Sequence, residues 1–426
     1  MKYQAYGLHN FLEIPQIEGI TENYRKAIKI VGSVLPFKTN NYITEELIIW
    51  DKIDSDPIFR MNFPQKEILK KDYFTIMEKL QDSGSNPGEI KKTANLIRMQ
   101  MNPHPAGQRE LNTPRMNNKK LWGVQHKYSE TVLFFPIKGQ TCHAYCTFCF
   151  RWPQFVGISN LKMALASTQS LIEYLRSHRE VTDILVTGGD PLVMKSRFLS
   201  KIIDQILQAD LSNIRNIRIG SKALSWWPYR FLTDDDADEL LRIFEKVNNS
   251  GKRLALMAHI NHPREMVTRA FKEAVKRILK TGTQIRSQAP ILKNINDRWQ
   301  IWQRMWRKQV NLGIIPYYMF IPRNTGAQHY FAVPLAKALE NFRNAYSSVS
   351  GLCRTVRGPI MSASPGKIQI LGTKIIQNEK AFILQFIQGR NPDWVLRPFF
   401  ARYDENAIWR NDLKPVSGAE KFFYEE

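Results

Sequence analysis

Short apolar runs alternate with longer amphipathic stretches along the central part of the chain, from Thr131 onward. The short runs have the length of buried strands, whereas the longer stretches carry apolar residues at the three-to-four-residue spacing of a helix. Strands are predicted at 131–137, 183–187, 216–220, 253–259, 283–291 and 313–320. Helices are predicted between them, at 167–178, 196–207, 233–248, 263–280 and 297–309. Such alternation is typical of parallel strands joined by right-handed crossovers.

Six strand–helix units are too few to close an eight-fold barrel, so the pattern predicts an open, partial (βα)6 barrel of the TIM type in residues 129–335. Residues 1–128 contain few strand signals, and helical patterns at 44–50 and 65–80 predict a helical amino-terminal extension. Residues 336–426 form a carboxyl-terminal segment. The predicted fold class is therefore α/β, with an extension at each end of the barrel.

The composition is that of an ordinary globular protein, at 43% hydrophobic and 23% charged residues. No apolar run approaches the roughly 18 residues of a membrane-spanning helix. The amino terminus lacks a basic segment followed by an apolar stretch, so no secretory signal is visible. We expect a soluble cytoplasmic protein with no membrane partner.

A net charge of +22 raises the question of an anionic partner, nucleic acid first. Lysine and arginine are spread along the chain, however, with no block of five or six. Diffuse charge of this kind favours a basic solvated surface over a nucleic-acid footprint.

Three of the four cysteines lie in the segment 142–149 with the spacing C-x3-C-x2-C: Cys142, Cys146 and Cys149. Three thiolates this close can hold three corners of an iron–sulfur cube, which leaves one iron open for a small ligand. A zinc site would need a fourth ligand from His143 or the distant Cys353, and neither gives a standard finger spacing. Three buried structural cysteines are the remaining interpretation. The polar segment favours the cluster.

Further polar and glycine residues follow the other predicted strands. In parallel barrels the chemistry lies at the carboxyl ends of the strands, so these residues should share one face with the cysteines. They are Gly188, Gly189 and Asp190 after the second strand, Ser221 after the third, His259 after the fourth, Gln288 at the fifth and Arg323 after the sixth.

The cysteine spacing, with Tyr145 and Phe148 before the second and third cysteines, resembles the radical S-adenosylmethionine (SAM) superfamily. Several later motifs resemble its lysine 2,3-aminomutase family, including the family's glutamate 2,3-aminomutases. They are Phe150-Arg151, TGGDPL at 187–192, RIGS at 218–221, HINHP at 259–263, SQAPILKNIND at 287–297 and PYYMF at 316–320. The resemblance extends from about residue 127 to 371 and implies an isomerase with a [4Fe–4S] cluster and SAM.

The resemblance also assigns the SAM pocket. Gly188, Gly189 and Asp190 would hold the amino group of the methionine moiety, although a strand-end turn with a capping aspartate would look the same. Ser221, His259 and Gln288 are weaker candidates, since each could be a hydrogen-bonded structural residue.

Family members hold pyridoxal phosphate (PLP) on a lysine fourteen residues after the cysteine of an SG-x-C phrase. Here Ser350-Gly351-Leu352-Cys353 is followed at that distance by Lys367, and a surface lysine is the alternative. Cys353 then has a structural role. Of the family's two basic phosphate ligands, Lys127 matches one loosely, and Thr131 stands at the second position.

The substrate end departs from the lysine-specific members. Arg151 matches the arginine that pairs with the substrate α-carboxylate. Those members bind the distant ammonium with two aspartates. At the first of these positions this chain has Arg323, and the second falls near Ile360, with Ser362 close by and no carboxylate at either position. An inward-facing Arg323 should repel lysine and attract a carboxylate, so we expect glutamate as the substrate. An outward-facing Arg323 would leave lysine open.

The family resemblance implies a small amino-acid substrate, an electron donor such as flavodoxin or ferredoxin, and a homo-oligomer. Nucleic acid is not expected, and the absence of further cysteines predicts no zinc. One rival is a radical SAM enzyme that modifies a lysine residue of a protein or an RNA base. A second rival is a non-catalytic iron–sulfur protein.

Overall fold

The computed structural model describes residues 1–416 and 419–425. Its largest sheet has eleven strands. Across the sheet the strands run in the order β15-β14-β13-β12-β11-β10-β9-β8-β7-β6-β5. These strands are β5 (Val124–Tyr128), β6 (Thr131–Phe134), β7 (Asp183–Val186), β8 (Asn216–Ser221), β9 (Arg253–His259), β10 (Gln284–Pro290), β11 (Ile314–Phe320), β12 (Arg357–Ser362), β13 (Gly366–Ile376), β14 (Glu379–Gly389) and β15 (Pro398–Arg402). Two small pairs stand apart: β1 (Ala5–Gly7) with β2 (Lys38–Asn40), and β3 (Arg115–Met116) with β4 (Lys119–Lys120).

Four α-helices lie in the amino-terminal extension, and the other eight lie in the sheet-forming part of the described chain. They are α1 (Glu22–Val34), α2 (Pro57–Asn62), α3 (Lys71–Asp82), α4 (Pro87–Gln100), α5 (Thr168–Arg176), α6 (Ser196–Gln208), α7 (Ala223–Trp226), α8 (Ala237–Asn249), α9 (Arg269–Lys280), α10 (Trp299–Asn311), α11 (Gln328–Phe331) and α12 (Leu335–Ser347). In the described parts of the chain, no helix is both long and apolar enough to cross a membrane.

The six predicted strands and the five predicted helices between them are confirmed, with bounds shifted by a few residues. Strands β6 to β12 pair in parallel, so the structure has one parallel strand more than the pattern predicts. Helix α12 makes the sixth crossover and leads into this seventh strand, β12. Its sequence, Arg-Gly-Pro-Ile-Met-Ser, contains a glycine and a proline, which weaken a strand signal.

The carboxyl-terminal segment continues the same sheet. Strands β13, β14 and β15 add to β12 in antiparallel order. Ser362 at the end of β12 pairs with Lys367 near the start of β13, which places the lysine at the carboxyl end of the parallel strands. At the opposite edge β5 pairs antiparallel with β6.

The described residues form two hydrophobic cores. One lies between the sheet and its helices. The second lies under the amino-terminal extension and takes in Trp152, Trp226 and Trp227 from the region around the cysteines. Helices α1 and α4 belong to this second core and were not predicted from the sequence, whereas the predicted helix at 44–50 reduces to one wide turn, Ile43–Leu47.

Candidate functional site

A cavity of about 830 Å³ is lined by residues of the sheet and of the loops that follow its strands. Twelve of the thirteen residues singled out in the sequence line it: Lys127, Cys142, Cys146, Cys149, Arg151, Gly189, Asp190, Ser221, His259, Gln288, Arg323 and Lys367. Gly188 lies beside the Gln140 amide, where an added Cβ would stand 2.4 Å from Nε2. The expectation that these strand ends share one face is confirmed.

The three clustered cysteines lie on the loop that follows β6. All three are free thiols that are partly exposed to the cavity. Burial raises the pKa of each thiol, to about 12 for Cys149. The thiols are therefore protonated, and iron must displace their protons when it binds. The positive charge of the iron then offsets the negative charge of the thiolates. Three soft ligands converging on a cavity fit a cluster with one open iron.

The amino-terminal extension holds the backbone of this cysteine loop. Lys38 Nζ donates to the carbonyl of Cys142 at 2.8 Å, and the Tyr145 amide donates to the Lys38 carbonyl at 2.8 Å. Asn62 Nδ2 donates to the Tyr145 carbonyl at 3.0 Å, and Tyr3 Oη donates to the loop at His143 O. No sequence signal marked these residues, because each contact joins positions far apart in the chain.

Lys38→Met is expected to loosen the cluster without unfolding the protein. The change removes a partly buried charged donor, which is worth about 1–3 kcal/mol, so iron should be lost to a chelator about tenfold faster. Iron release after anaerobic reconstitution measures this, with Lys29→Met, an exposed change on α1, as the control. Equal release rates in the two variants would show that Lys38 does not support the loop.

The two residues that could complete a zinc site do not join the cysteines. His143 is buried, and its ring packs edge-on against Tyr3 with centroids 5.8 Å apart. Cys353 belongs to the core between sheet and helices, where Ser350 Oγ lies 3.8 Å from its sulfur. This position agrees with a structural role for Cys353.

The Gly188–Asp190 turn packs against the residues that precede the first cysteine. A Cβ on Gly189 would stand 2.4 Å from the carbonyl oxygen of Thr141, so only glycine fits. The Asp190 carboxylate is buried and accepts from the Leu192 amide at 3.0 Å, Ser221 Oγ at 2.8 Å and the Lys222 amide at 2.8 Å. These bonds tie the ends of β7 and β8 together, and the role of the turn in SAM binding stays a prediction.

The remaining SAM candidates stand at the ends of β9 and β10. Burial lowers the pKa of His259 well below its usual value, with Lys222 adding to the effect, so the imidazole is neutral. Its carbonyl accepts from Lys222 Nζ at 3.1 Å, and the Gln288 carbonyl accepts from the Ile260 amide at 3.2 Å. Both side chains line the cavity.

Lys367 enters the cavity between two aromatic rings. Its Nζ lies 4.7 Å from the ring centroid of Tyr128 and 5.5 Å from that of Tyr318, and it donates to Gln388 Oε1. Burial lowers the pKa of Lys367 to about 7, with Arg218 and neighbouring arginines adding to the effect. A large fraction of this amine is therefore neutral at physiological pH, as covalent attachment to an aldehyde requires.

Lys127 lies on the same side of the cavity as Lys367. Burial lowers the pKa of Lys127 well below its usual value, and the nearby Arg323 and Arg390 lower it further. Its Nζ donates to the Ala363 carbonyl, and Thr131 also lines the cavity. Anionic phosphate would relieve the repulsion among these cations.

Two arginines flank one phenylalanine in the substrate region. The guanidinium carbons of Arg151 and Arg323 lie 5.0 and 4.3 Å from the ring centroid of Phe150. Arg323 Nη2 donates to Ser362 Oγ at 2.9 Å, close to the second aspartate position that the resemblance puts near Ile360. Burial lowers the pKa of Arg151 to about 9 and that of Arg323 to about 10. Arg323 therefore faces inward.

The cavity is strongly basic. Among the described residues that line it, eight are basic: Lys127, Arg151, Arg218, Lys222, Arg253, Arg286, Arg323 and Lys367. Its three acidic residues are engaged or exposed: Asp183 pairs with Arg218 at 2.7 Å, Asp190 caps the turn, and Glu130 is exposed beside Ser129. Arg151 Nη1 and Tyr128 Oη are buried without a hydrogen-bond partner in the described chain, which leaves them for a ligand.

Comparisons with known proteins bear on this geometry. No protein-family profile matches the chain. "Putative L-lysine 2,3-aminomutase" of Aquifex aeolicus (strain VF5) is 34% identical over 366 residues, which cover 86% of this chain and 85% of that relative. "L-lysine 2,3-aminomutase" of Methanococcus maripaludis is 23% identical over 81% of this chain and 67% of that relative. "L-lysine 2,3-aminomutase" of Clostridium subterminale is 26% identical over 63% of this chain and 61% of that relative.

Among solved structures, Streptococcus suis SuiB bound to its precursor peptide SuiA is similar, with a TM-score of 0.36 and 12% sequence identity. The alignment covers 64% of this chain and 58% of that one. A likeness this distant carries no argument about fold or substrate.

Proposed function

Because this chain belongs to the lysine 2,3-aminomutase family of radical SAM enzymes, we propose that it is a 2,3-aminomutase for an amino acid with a side-chain carboxylate, glutamate first. The family uses a [4Fe–4S] cluster, SAM and PLP, and its members are isomerases. The observation that carries the substrate proposal is the pair of cavity-lining arginines, Arg151 and Arg323, with no unengaged carboxylate beside them in the described chain.

The residues of the cavity fit the three groups. Cys142, Cys146 and Cys149 would hold the cluster, and the strand ends around Gly189 would face SAM. Lys367 would hold PLP, since its neutral amine and the flanking tyrosine rings suit an aromatic aldehyde. In this family the cluster and SAM supply the radical that starts the reaction, and PLP carries the migrating amino group.

The chain's own side chains bind and orient the substrate. Arg151 would pair with the α-carboxylate through its unpartnered Nη1, and Arg323 would pair with the side-chain carboxylate. The rings of Phe135 and Phe150 lie against Arg151, at 4.6 and 5.0 Å from the guanidinium carbon, and exclude water from the pair. Charge at both ends would fix the reacting carbons between them.

We also propose that the sheet forms the partial barrel of the radical SAM type. Residues from β5, β8 and β13 line the same cavity, although these strands lie far apart in the sheet order, and strong curvature accounts for this. Residues 1–128 would be the extension that holds the cysteine loop, 129–335 the barrel, and 336–426 the segment that delivers Lys367. An electron donor such as flavodoxin or ferredoxin would reduce the cluster, and a homo-oligomer would be the assembly.

Lysine is the second candidate substrate. The names of the relatives favour it, since several are called L-lysine 2,3-aminomutase. The charge of Arg323 argues against lysine. The side-chain ammonium of lysine needs a carboxylate partner, and it would meet the like charge of Arg323 instead. Product analysis with both amino acids separates the two candidates.

Lys367→Ala is expected to abolish covalent uptake of PLP, because the reacting amine is removed. In the wild type, uptake should rise with pH through a midpoint of about 7: the lowered pKa leaves the amine protonated and unreactive below that value and neutral above it. Borohydride reduction followed by peptide mapping locates the attachment. Lys374→Ala, an exposed change on the same strand, should keep full uptake. A modified peptide that lacks Lys367 would exclude this assignment.

A further inference from the structure

A buried tryptophan donates a hydrogen bond to one of the clustered cysteines. Trp226 lies at the end of α7 and is 1% exposed, and its Nε1 is 3.3 Å from the sulfur of Cys146. Asn40 Nδ2 of the amino-terminal extension donates to the Trp226 carbonyl at 3.0 Å. Asn40 therefore holds the backbone of Trp226, and burial of the ring sets the direction of its N–H.

A cation strengthens this donor. Lys222 Nζ lies 4.2 Å from the Trp226 ring centroid and is itself held by Glu265 at 2.6 Å and Asn261 at 3.0 Å. A positive charge over an indole draws electron density from the ring and makes its N–H a better donor. The ammonium group cannot move away, because the pair with Glu265 is buried.

We infer that Trp226 sets the reduction potential of the cluster through its N–H to Cys146 sulfur. When the cluster gains an electron, the added negative charge is shared by its sulfur atoms. A hydrogen-bond donor to a ligand sulfur stabilises the reduced form more than the oxidised form, and so raises the potential. Trp226 is a positioning residue: it touches a cluster ligand, while the substrate binds elsewhere in the cavity. The inference rests on the cluster of the proposed function and is independent of the substrate.

The neighbouring tryptophan supplies a matched control. Trp227 is 0% exposed and lies in the same core, but its Nε1 donates to Asp234 Oδ1 at 2.9 Å and not to a sulfur. Trp226→Phe and Trp227→Phe each remove one indole N–H and keep an aromatic ring. The two substitutions should cost similar packing energy. Only Trp226→Phe removes the hydrogen-bond donor to the Cys146 sulfur.

The test is an electron paramagnetic resonance titration with dithionite, on the reconstituted full chain without SAM, PLP or substrate. At the wild-type midpoint potential, Trp226→Phe should lower the ratio of reduced to oxidised cluster about tenfold, a shift of about 59 mV for one electron. Trp227→Phe should leave the ratio unchanged. An unchanged ratio in Trp226→Phe with full iron content overturns the inference, and so does an equal shift in both variants.

A second measurement on the wild type covers the case in which Trp226→Phe fails to fold. Electron–nuclear double resonance of protein labelled with ¹⁵N at the indole should detect nitrogen coupled to the reduced cluster, since one N–H points at a ligand sulfur. Absence of this coupling overturns the inference while leaving the cluster intact. Wild-type protein that binds no iron would overturn the cluster assignment itself, so the two failures are distinguishable.

Discussion

Replacing any one of Cys142, Cys146 and Cys149 by alanine is expected to abolish the cluster. Reconstituted wild-type protein should bind about four irons per chain through these three thiolates. A cube that has lost one of three protein ligands exposes a second iron to solvent, and no fourth cysteine lines the cavity in the described chain to replace it. Iron analysis and the visible absorbance of the cluster measure the loss.

Cys353→Ala is the matched control for the three variants. Its thiol is also free, but it lies in the core between sheet and helices, so its loss should affect stability and not iron content. Iron content that survives the triple replacement of Cys142, Cys146 and Cys149 would contradict the cluster assignment. Equal iron loss in Cys353→Ala would indicate unfolding as the cause.

Arg323→Asp is expected to lower glutamate turnover by roughly two or more orders of magnitude and to admit lysine weakly. Like charges about 4 Å apart at an effective dielectric near 20 cost roughly 4 kcal/mol, which corresponds to about a thousandfold. The variant places a carboxylate where we expect the carboxylate of glutamate, and it presents lysine with an opposite charge.

Kinetics with both amino acids test the variant, and Arg343→Asp controls for the change in net charge. Arg343 is exposed on α12 and does not line the cavity, so its replacement should leave glutamate turnover unchanged. If Arg323→Asp keeps wild-type turnover of glutamate, Arg323 does not contact the substrate.

The parallel strand–helix alternation and the placement of much of the candidate site could be predicted from the sequence, because both depend on local signals. Strand–helix periodicity predicted β6 to β11 to within a few residues, and the spacing of the cysteines, like that between Cys353 and Lys367, marked candidate cofactor residues that line the cavity. Where the strands end, parallel pairing alone brings their last residues to one edge. Of the two orientations that the sequence left open for Arg323, the structure has the one that lines the cavity.

The rest depends on contacts between positions that are far apart in the chain. Lys38 meets Cys142 across more than a hundred residues, and Trp226 meets Cys146 across eighty. No periodicity or spacing encodes such pairs. The Gly188–Asp190 turn also shows this limit, because the sequence alone left Asp190 open between binding a ligand and capping the turn. In the structure its carboxylate accepts three hydrogen bonds from the protein itself, two of them from the end of β8 and the residue after it.

Wild-type protein incubated anaerobically with dithionite, SAM, PLP and either glutamate or lysine tests the central claim most directly. Chromatographic analysis of the amino acids identifies the products. Our account predicts conversion of glutamate to β-glutamate, with lysine turned over about a thousandfold less efficiently because of the charge of Arg323. Efficient conversion of lysine to β-lysine, with glutamate left unchanged, would contradict it.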